Sequence, residues 1–119
     1  MKVRRTTEDY LKVIYLLSQN NSEVHACQIS KELQLSRPTV SVAVRRLAEE
    51  GYVSINTDNA ISLTATGRQL ARSTCEKYRV LRDFLLRLGV DPANAKQDAC
   101  KMEHDISGES YDALKKFMA

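Results

Sequence analysis

The sequence predicts a mainly α chain, with three helices and a small β-hairpin first and a helical part after them that begins with one long helix. Three observations predict it. Residues 26–50, ACQISKELQLSRPTVSVAVRRLAEE, hold two helical patterns with only Gln34 and Leu35 between them. Residues 52–63 hold two alternating runs around the polar stretch Asn56, Thr57, Asp58, Asn59. From Thr64 to Leu88 apolar residues recur every three or four positions.

In chain order, Thr6 or Thr7 can cap a first helix with Glu8 and Asp9 near its positive end. It runs through YLKVIYLLSQ with Tyr10, Val13, Ile14 and Leu17 facing inward, and stops in the loop Asn20, Asn21, Ser22. The second helix, ACQISKEL, sets Ala26, Ile29, Ser30 and Leu33 at helical spacing, with Lys31, Glu32 and Gln34 outside. After the turn at Gln34 and Leu35, Ser36 can cap the third helix. Arg37 and Pro38 fall in its first turn, where a missing N–H does no harm, and Gly51 ends it.

Inside this third helix Val40, Ala43, Val44 and Leu47 recur at i, i+3, i+4 and i+7 and must pack inward. That turns Arg37, Thr39, Ser41, Val42, Arg45 and Arg46 outward. A major groove admits a helix of this diameter and offers phosphates, base acceptors and thymine methyls to such groups. With Ser36 and Pro38 at its start, the face forms the candidate DNA-contacting set. A surface helix with ordinary solvated arginines is the alternative.

Tyr52–Ile55 and Ala60–Leu63 then make the β-hairpin, so the first part reads as a winged helix-turn-helix. The wing has Asp58 at its tip and no Lys or Arg, which makes it a poor phosphate clamp with a mainly structural part. Thr64 or Thr66 caps a long helix, on the order of 35 Å at ~1.5 Å per residue. Its seam of Leu70, Ala71, Cys75, Tyr78, Leu81, Phe84, Leu85 and Leu88 exceeds what one small domain needs, which predicts a homodimer through residues 65–119; coverage by the C-terminal helices is the other reading. Gly89 ends this helix, Asp91 and Pro92 open the next, DPANAKQDACKMEHDI, and ESYDALKKFM follows Ser107 and Gly108 as a last short helix. The domain boundary is expected near Thr64: a winged-helix domain at 1–64 and a helical dimerisation domain at 65–119.

At 119 residues and 43% hydrophobic the chain can bury a core without staples. The net charge of +3 is uneven: residues 1–90 hold 14 Lys and Arg against 9 Asp and Glu, whereas residues 91–119 hold 4 against 6. The basic excess therefore accompanies the helix-turn-helix. Cys27, Cys75 and Cys100 are odd in number and lack CxxC spacing, so neither a disulfide framework nor a zinc finger follows, and a reducing cytoplasm is expected. No apolar stretch approaches the ~18 residues that span a bilayer, and no secretion signal stands behind the N-terminal charges. With two histidines, no Gly-rich phosphate loop and no nucleophile beside a recognisable base, the sequence does not read as an enzyme.

One further cluster carries chemistry. Cys100, Glu103 and His104 stand at i, i+3 and i+4, so a helix brings a thiol, a carboxylate and an imidazole to one face. A core face of Ala99, Met102 and Ile106 beside an ordinary exposed Glu and His explains the spacing equally well. His25 and Cys27 lie close in sequence, as an incidental pair.

Taken together, TEDYLKVIYLL, SRPTVSVAVRRLAEEGYV, ISLTATGRQLA, LGVD and DACKMEHDIS occur in an order and at a spacing that resemble the diphtheria toxin repressor and manganese transport regulator family of metal-dependent bacterial repressors. The resemblance spans nearly the whole chain. It implies a homodimeric repressor of metal-ion uptake or homeostasis genes that binds a double-stranded DNA operator, without the SH3-like third domain of some members. It places metal ligands at Asp9, Cys100, Glu103 and His104. Where the family has further ligands this chain has Lys12, Tyr78, Arg82 and Lys96, three cations and a phenol, so one divalent transition metal per subunit is expected. Fe(II) or Mn(II) come first, then Zn(II) or Co(II): the thiolate softens the site and the carboxylates harden it. Asp9 belongs to the first domain and the other three to the second, so an ion held by all four would fix the angle between domains and hence the half-site spacing. Two alternatives stay open: a member that has lost metal control and binds DNA constitutively, and a winged helix used as a protein-binding adaptor.

Overall fold

Side chains that satisfy backbone N–H groups, with prolines that lack one, set the starts of the third to sixth helices, and the elements follow in the expected order; Thr6 and Thr7, expected to cap the first helix, lie within it instead. A computed structural model describes residues 5–119; the first four residues of the expected N-terminal domain lie outside it. The elements are α1 (Arg5–Asn20), α2 (Ala26–Leu33), α3 (Arg37–Glu49), β1 (Val53–Ile55), β2 (Ile61–Leu63), α4 (Ala65–Arg87), α5 (Pro92–Asp105) and α6 (Gly108–Met118). They divide into two units, one up to Arg72 and one of Ser73–Ala119, with α4 contributing to both.

In the first unit the apolar stripes of α1, α2 and α3 meet around Leu11, Ile14, Ile29, Val40 and Leu47, all fully buried, with Tyr10, Val24, Val44, Val53, Ile61 and Ala71 completing the core. Leu11 is an addition to the expected inward set, whose Val13 and Leu17 are only partly buried. The helix-turn-helix bend passes through Gln34, which takes the left-handed conformation at φ 56° without a glycine. The Ser30 hydroxyl donates to the Leu35 carbonyl there and holds the bend. β1 and β2 pair antiparallel with Val53 opposite Leu63 and Ile55 opposite Ile61. The hairpin is anchored to the loop before α2, because Ile61 N–H donates to the Val24 carbonyl at 2.7 Å. α4 starts at Thr64: its hydroxyl accepts from Gly67 N–H at 3.1 Å and donates to the Gly51 carbonyl at 2.7 Å. Gly67 is required by close approach, since a Cβ there would collide with the Tyr52 carbonyl.

In the second unit Leu81, Ala95 and Ala99 are fully buried and Tyr111 nearly so. Asp91 caps α5 by accepting from Ala93 N–H at 3.1 Å, and Ser107 caps α6 by accepting from Ser110 N–H at the same distance. α6 is tied to α4 by polar and aromatic contacts together: Glu76 accepts from the Tyr111 hydroxyl at 3.1 Å and from Lys115, and Phe117 meets Phe84 edge-on at 6.4 Å between ring centres. Leu88 and Phe117 remain 64% and 72% exposed, so the apolar seam predicted for α4 is not fully covered within one chain.

Candidate nucleic-acid face and metal ligands

The outward face of α3 follows from its inward one. Val40, Val44 and Leu47 are buried, and Arg37, Pro38, Thr39, Ser41, Val42 and Arg45 are consequently exposed together with the cap, Ser36. The cap is tight: Ser36 Oγ accepts from Thr39 N–H at 3.3 Å and lies 2.7 Å from Thr39 Oγ1. Val42 is 67% exposed, a large apolar group with no neighbour to cover it. Arg46 departs from the others. It is half-buried, its Nε is sealed from solvent without a hydrogen-bond partner among the described residues and lies 3.7 Å from a Glu50 carboxylate oxygen. Its charge also opposes the rise that burial imposes on the Tyr10 phenol, so Arg46 acts electrostatically on α1 as well as on Glu50.

Alongside this face runs a groove of about 610 Å³. It is lined by Arg37, Ser41 and Arg45 of α3, by Ile55, Asp58 and Asn59 of the wing, and by His25 and Cys27 around the start of α2. His25 Nε2 is 3.0 Å from a Glu23 carboxylate oxygen, and its N–H is capped by the Gln28 side chain at 2.7 Å. No sequence spacing points to this groove, because it exists only once the Val24–Ile61 contact brings the hairpin to the start of α2.

In the second unit α5 buries Ala95, Ala99 and Glu103, four residues apart and so on one stripe, with His104 beside them. Glu103 is 2% and His104 5% exposed, and His104 Nε2 lies 3.4 Å from Glu103 Oε1. The alternative of an exposed Glu and His flanking a core of Met102 and Ile106 is thereby reversed, for those two are only half-buried. A carboxylate taken out of water is costly unless a charge or hydrogen bonds compensate it. A buried oxygen and an imidazole nitrogen side by side are donors suited to a divalent transition ion, so the pair fits one. Cys100, one turn earlier, is exposed. In the first unit Asp9 and Lys12 are half-buried on α1.

The positions expected to have lost metal ligands hold other interactions. The Arg82 guanidinium sits 5.5 Å from the centre of the Tyr78 ring and 3.1 Å from an Asp83 oxygen, and Lys96 is exposed. Among the described residues the three cysteines form no disulfide, and no helix is long and apolar enough to cross a membrane.

Comparison with known proteins agrees with both units. Residues 2–61 match the family model described as iron dependent repressor, N-terminal DNA binding domain, and residues 64–119 match iron dependent repressor, metal binding and dimerisation domain. The transcriptional regulator MntR of Escherichia coli is 35% identical over 114 residues, 96% of this chain and 74% of that protein. The diphtheria toxin repressor of Corynebacterium diphtheriae is 34% identical over 95% of this chain but only 50% of its own length. The solved structure of the manganese regulator SloR superposes with a TM-score of 0.82 at 33% identity, over 94% of this chain and 53% of that one. The mainly α winged-helix architecture expected from sequence is that of these regulators. The chain belongs to the iron-dependent repressor family of metal-responsive, DNA-binding transcriptional repressors, which are not enzymes; its first domain binds DNA and its second binds divalent metal and forms the homodimer.

Proposed function

We propose that this repressor holds one divalent ion per subunit on Asp9, Cys100, Glu103 and His104, Fe(II) or Mn(II) ahead of Zn(II) and Co(II). Ion occupancy then governs how the dimer reads an operator of metal-ion uptake or homeostasis genes in the cytoplasm. The observation that carries this reading is the burial of Glu103 and His104 at 3.4 Å from one another, an arrangement that a bound cation compensates and that a solvated pair does not need. Glu103 and Asp9 offer oxygen, His104 nitrogen and Cys100 sulfur, a set of intermediate softness. The family description speaks of iron and the similar SloR is a manganese regulator, which supports those two ions. A single ion is supported by the engagement of Arg82 with Tyr78 and Asp83 and by the cations Lys12 and Lys96 at the further positions.

When bound, the ion supplies a positive charge shared by ligands from both domains. Asp9 then makes metal occupancy and domain arrangement one equilibrium; a 100-fold preference of the ion for the DNA-competent arrangement amounts to about 2.7 kcal/mol. Arg37, Arg45 and the outer end of Arg46 meet phosphates, Ser36, Thr39 and Ser41 donate to phosphates or base edges, and Pro38 and Val42 offer apolar contact to thymine methyls. The test is a metal series on chelator-treated protein, scored by binding to duplex DNA from its own promoter region. Binding switched on by Fe(II) or Mn(II), and lost in Asp9→Ala with the fold retained, is expected. Equal binding by metal-free protein, or an unchanged metal response in Asp9→Ala, rejects the scheme.

A further inference from the structure

The groove beside α3 is lined by groups of opposite charge. Arg37, Ser41 and Arg45 recur every four residues, so their side chains form one stripe along α3 and supply two guanidiniums and a hydroxyl. Asp58 at the wing tip lines the same groove. The turn that bears Asp58 is organised rather than loose: Asn56 Oδ1 accepts from the N–H groups of both Asp58 and Ala60 at 2.9 Å, and Asn59, at φ 62°, donates to the Asn56 carbonyl at 3.0 Å. The ordered turn thus places Asp58 in the lining of the same groove as Arg37 and Arg45, whose charges attract anions. Nothing on the hairpin offsets it, for residues 52–63 contain no Lys or Arg.

Resting on the reading of α3 as the DNA-contacting helix, we propose that one strand of operator backbone passes through this groove and that Asp58 is a fixed negative determinant there, holding DNA affinity down by repelling the phosphates that Arg37 and Arg45 attract. Any duplex brings phosphates, so the repulsion applies to random and operator DNA alike. Only a site that adds base contacts along α3, and a dimer that engages two half-sites, recovers the loss. Asp58 therefore makes occupancy depend on sequence and assembly instead of on charge alone.

The test uses the full chain loaded with Mn(II) and a duplex it selects from a random library, with binding followed by fluorescence anisotropy. At about 0.1 M salt, where charges interact over ~10 Å, Asp58→Asn binds about three- to tenfold tighter than the parent, as expected for removing one charge several ångströms from phosphates. The gain shrinks as salt approaches about 1 M and the screening length falls to ~3 Å. Asp112→Asn, which removes an exposed carboxylate from α6, gives less than about a twofold change by the same reasoning. Replacing single phosphates by neutral methylphosphonates erases the Asp58→Asn gain at the positions lying in the groove. Equal affinity of parent and Asp58→Asn, an equal gain from Asp112→Asn, or a gain that survives neutralisation of every phosphate in turn would overturn the proposal. A parent chain that binds no duplex at all would instead overturn the DNA-contacting role of α3.

Discussion

α3 and α5 begin alike, each with a side-chain cap and a proline in its first turn, and each carries ionisable groups at helical spacing, yet they dispose of them in opposite ways. On α3 the inward positions are Val40, Val44 and Leu47, so the apolar residues fill the core, Arg37 and Arg45 are left in water and only Arg46 is half-buried. On α5 the inward stripe is Ala95, Ala99 and Glu103, two of the smallest apolar side chains followed by a carboxylate, and charge goes into the interior. The difference teaches how one short chain holds two kinds of function. Exposed charges act singly, weakly and under the control of salt. Buried donors act as a set, strongly, and removing one leaves the others uncompensated.

The largest effect that would sharpen this contrast is at α5. Glu103→Ala and His104→Ala should each lower Mn(II) affinity by more than the ~10–100-fold that loss of a supporting partner costs, with metal-dependent DNA binding lost alongside. Competition against a metal-sensitive dye measures it. Unchanged affinity in both variants would break the comparison by making the buried pair a packing feature. Cys100→Ser should cost less, since the thiol is exposed, and should shift preference toward Mn(II), whose oxygen affinity a hydroxyl serves better than a thiolate.

Next in size is the inward face of α3. Leu47 is fully buried in the core shared by α1, α2, α3 and the hairpin, so Leu47→Ala should cost about 2–5 kcal/mol of stability by denaturant unfolding. The loss should leave Mn(II) affinity nearly untouched wherever the protein remains folded. Smaller again, Arg45→Ala should weaken duplex binding about tenfold near 0.1 M salt and reduce the slope of log affinity against log salt by about 0.9 per phosphate contact removed. Arg46→Ala should lower stability as well, because its Nε is sealed from solvent beside Glu50; an Arg46 variant indistinguishable from Arg45→Ala in both assays would erase the distinction drawn between them.

The parts of the molecule that could be read from sequence are those governed by neighbours in the chain. Ser36, Asp91 and Ser107 cap the helices they precede, and the spacing of Val40, Val44 and Leu47 settled which way α3 faces. What spacing could not settle depended on contacts distant in sequence. The same i, i+3, i+4 pattern allowed Glu103 and His104 to be core or surface, and it is the fold that buries them on the stripe of Ala95 and Ala99. Arg45 and Arg46 read as equivalent in the sequence, yet Arg45 is exposed whereas Arg46 is half-buried with its Nε sealed from solvent. The groove needed the hairpin, the start of α2 and α3 in place together, and the left-handed Gln34 took a conformation that composition alone assigns to glycine.

The smallest predicted effect lies where the second unit keeps a charge half in water. Glu76 on α4 accepts from Tyr111 and Lys115 of α6, and its side chain is 40% exposed. The hydrogen bond from Lys115, then that from Tyr111, holds the Glu76 carboxyl below its usual range. Burial, helped by that same hydrogen bond, pushes the Tyr111 phenol up to about 12. A lowered carboxyl contributes stability that is present above the ordinary carboxylate range and is lost as pH falls through the lowered value; a raised phenol contributes stability that is present below about pH 10 and is lost as pH climbs toward 12. Because water screens the pair, Glu76→Gln should cost less than about 1 kcal/mol at neutral pH. It should also flatten the acid limb of the stability profile and bring the Tyr111 titration, followed by tyrosinate absorbance, back toward 10. An acid limb as steep in Glu76→Gln as in the parent would mean that the pair contributes nothing to holding α6 on α4, leaving that task to Phe84 and Phe117.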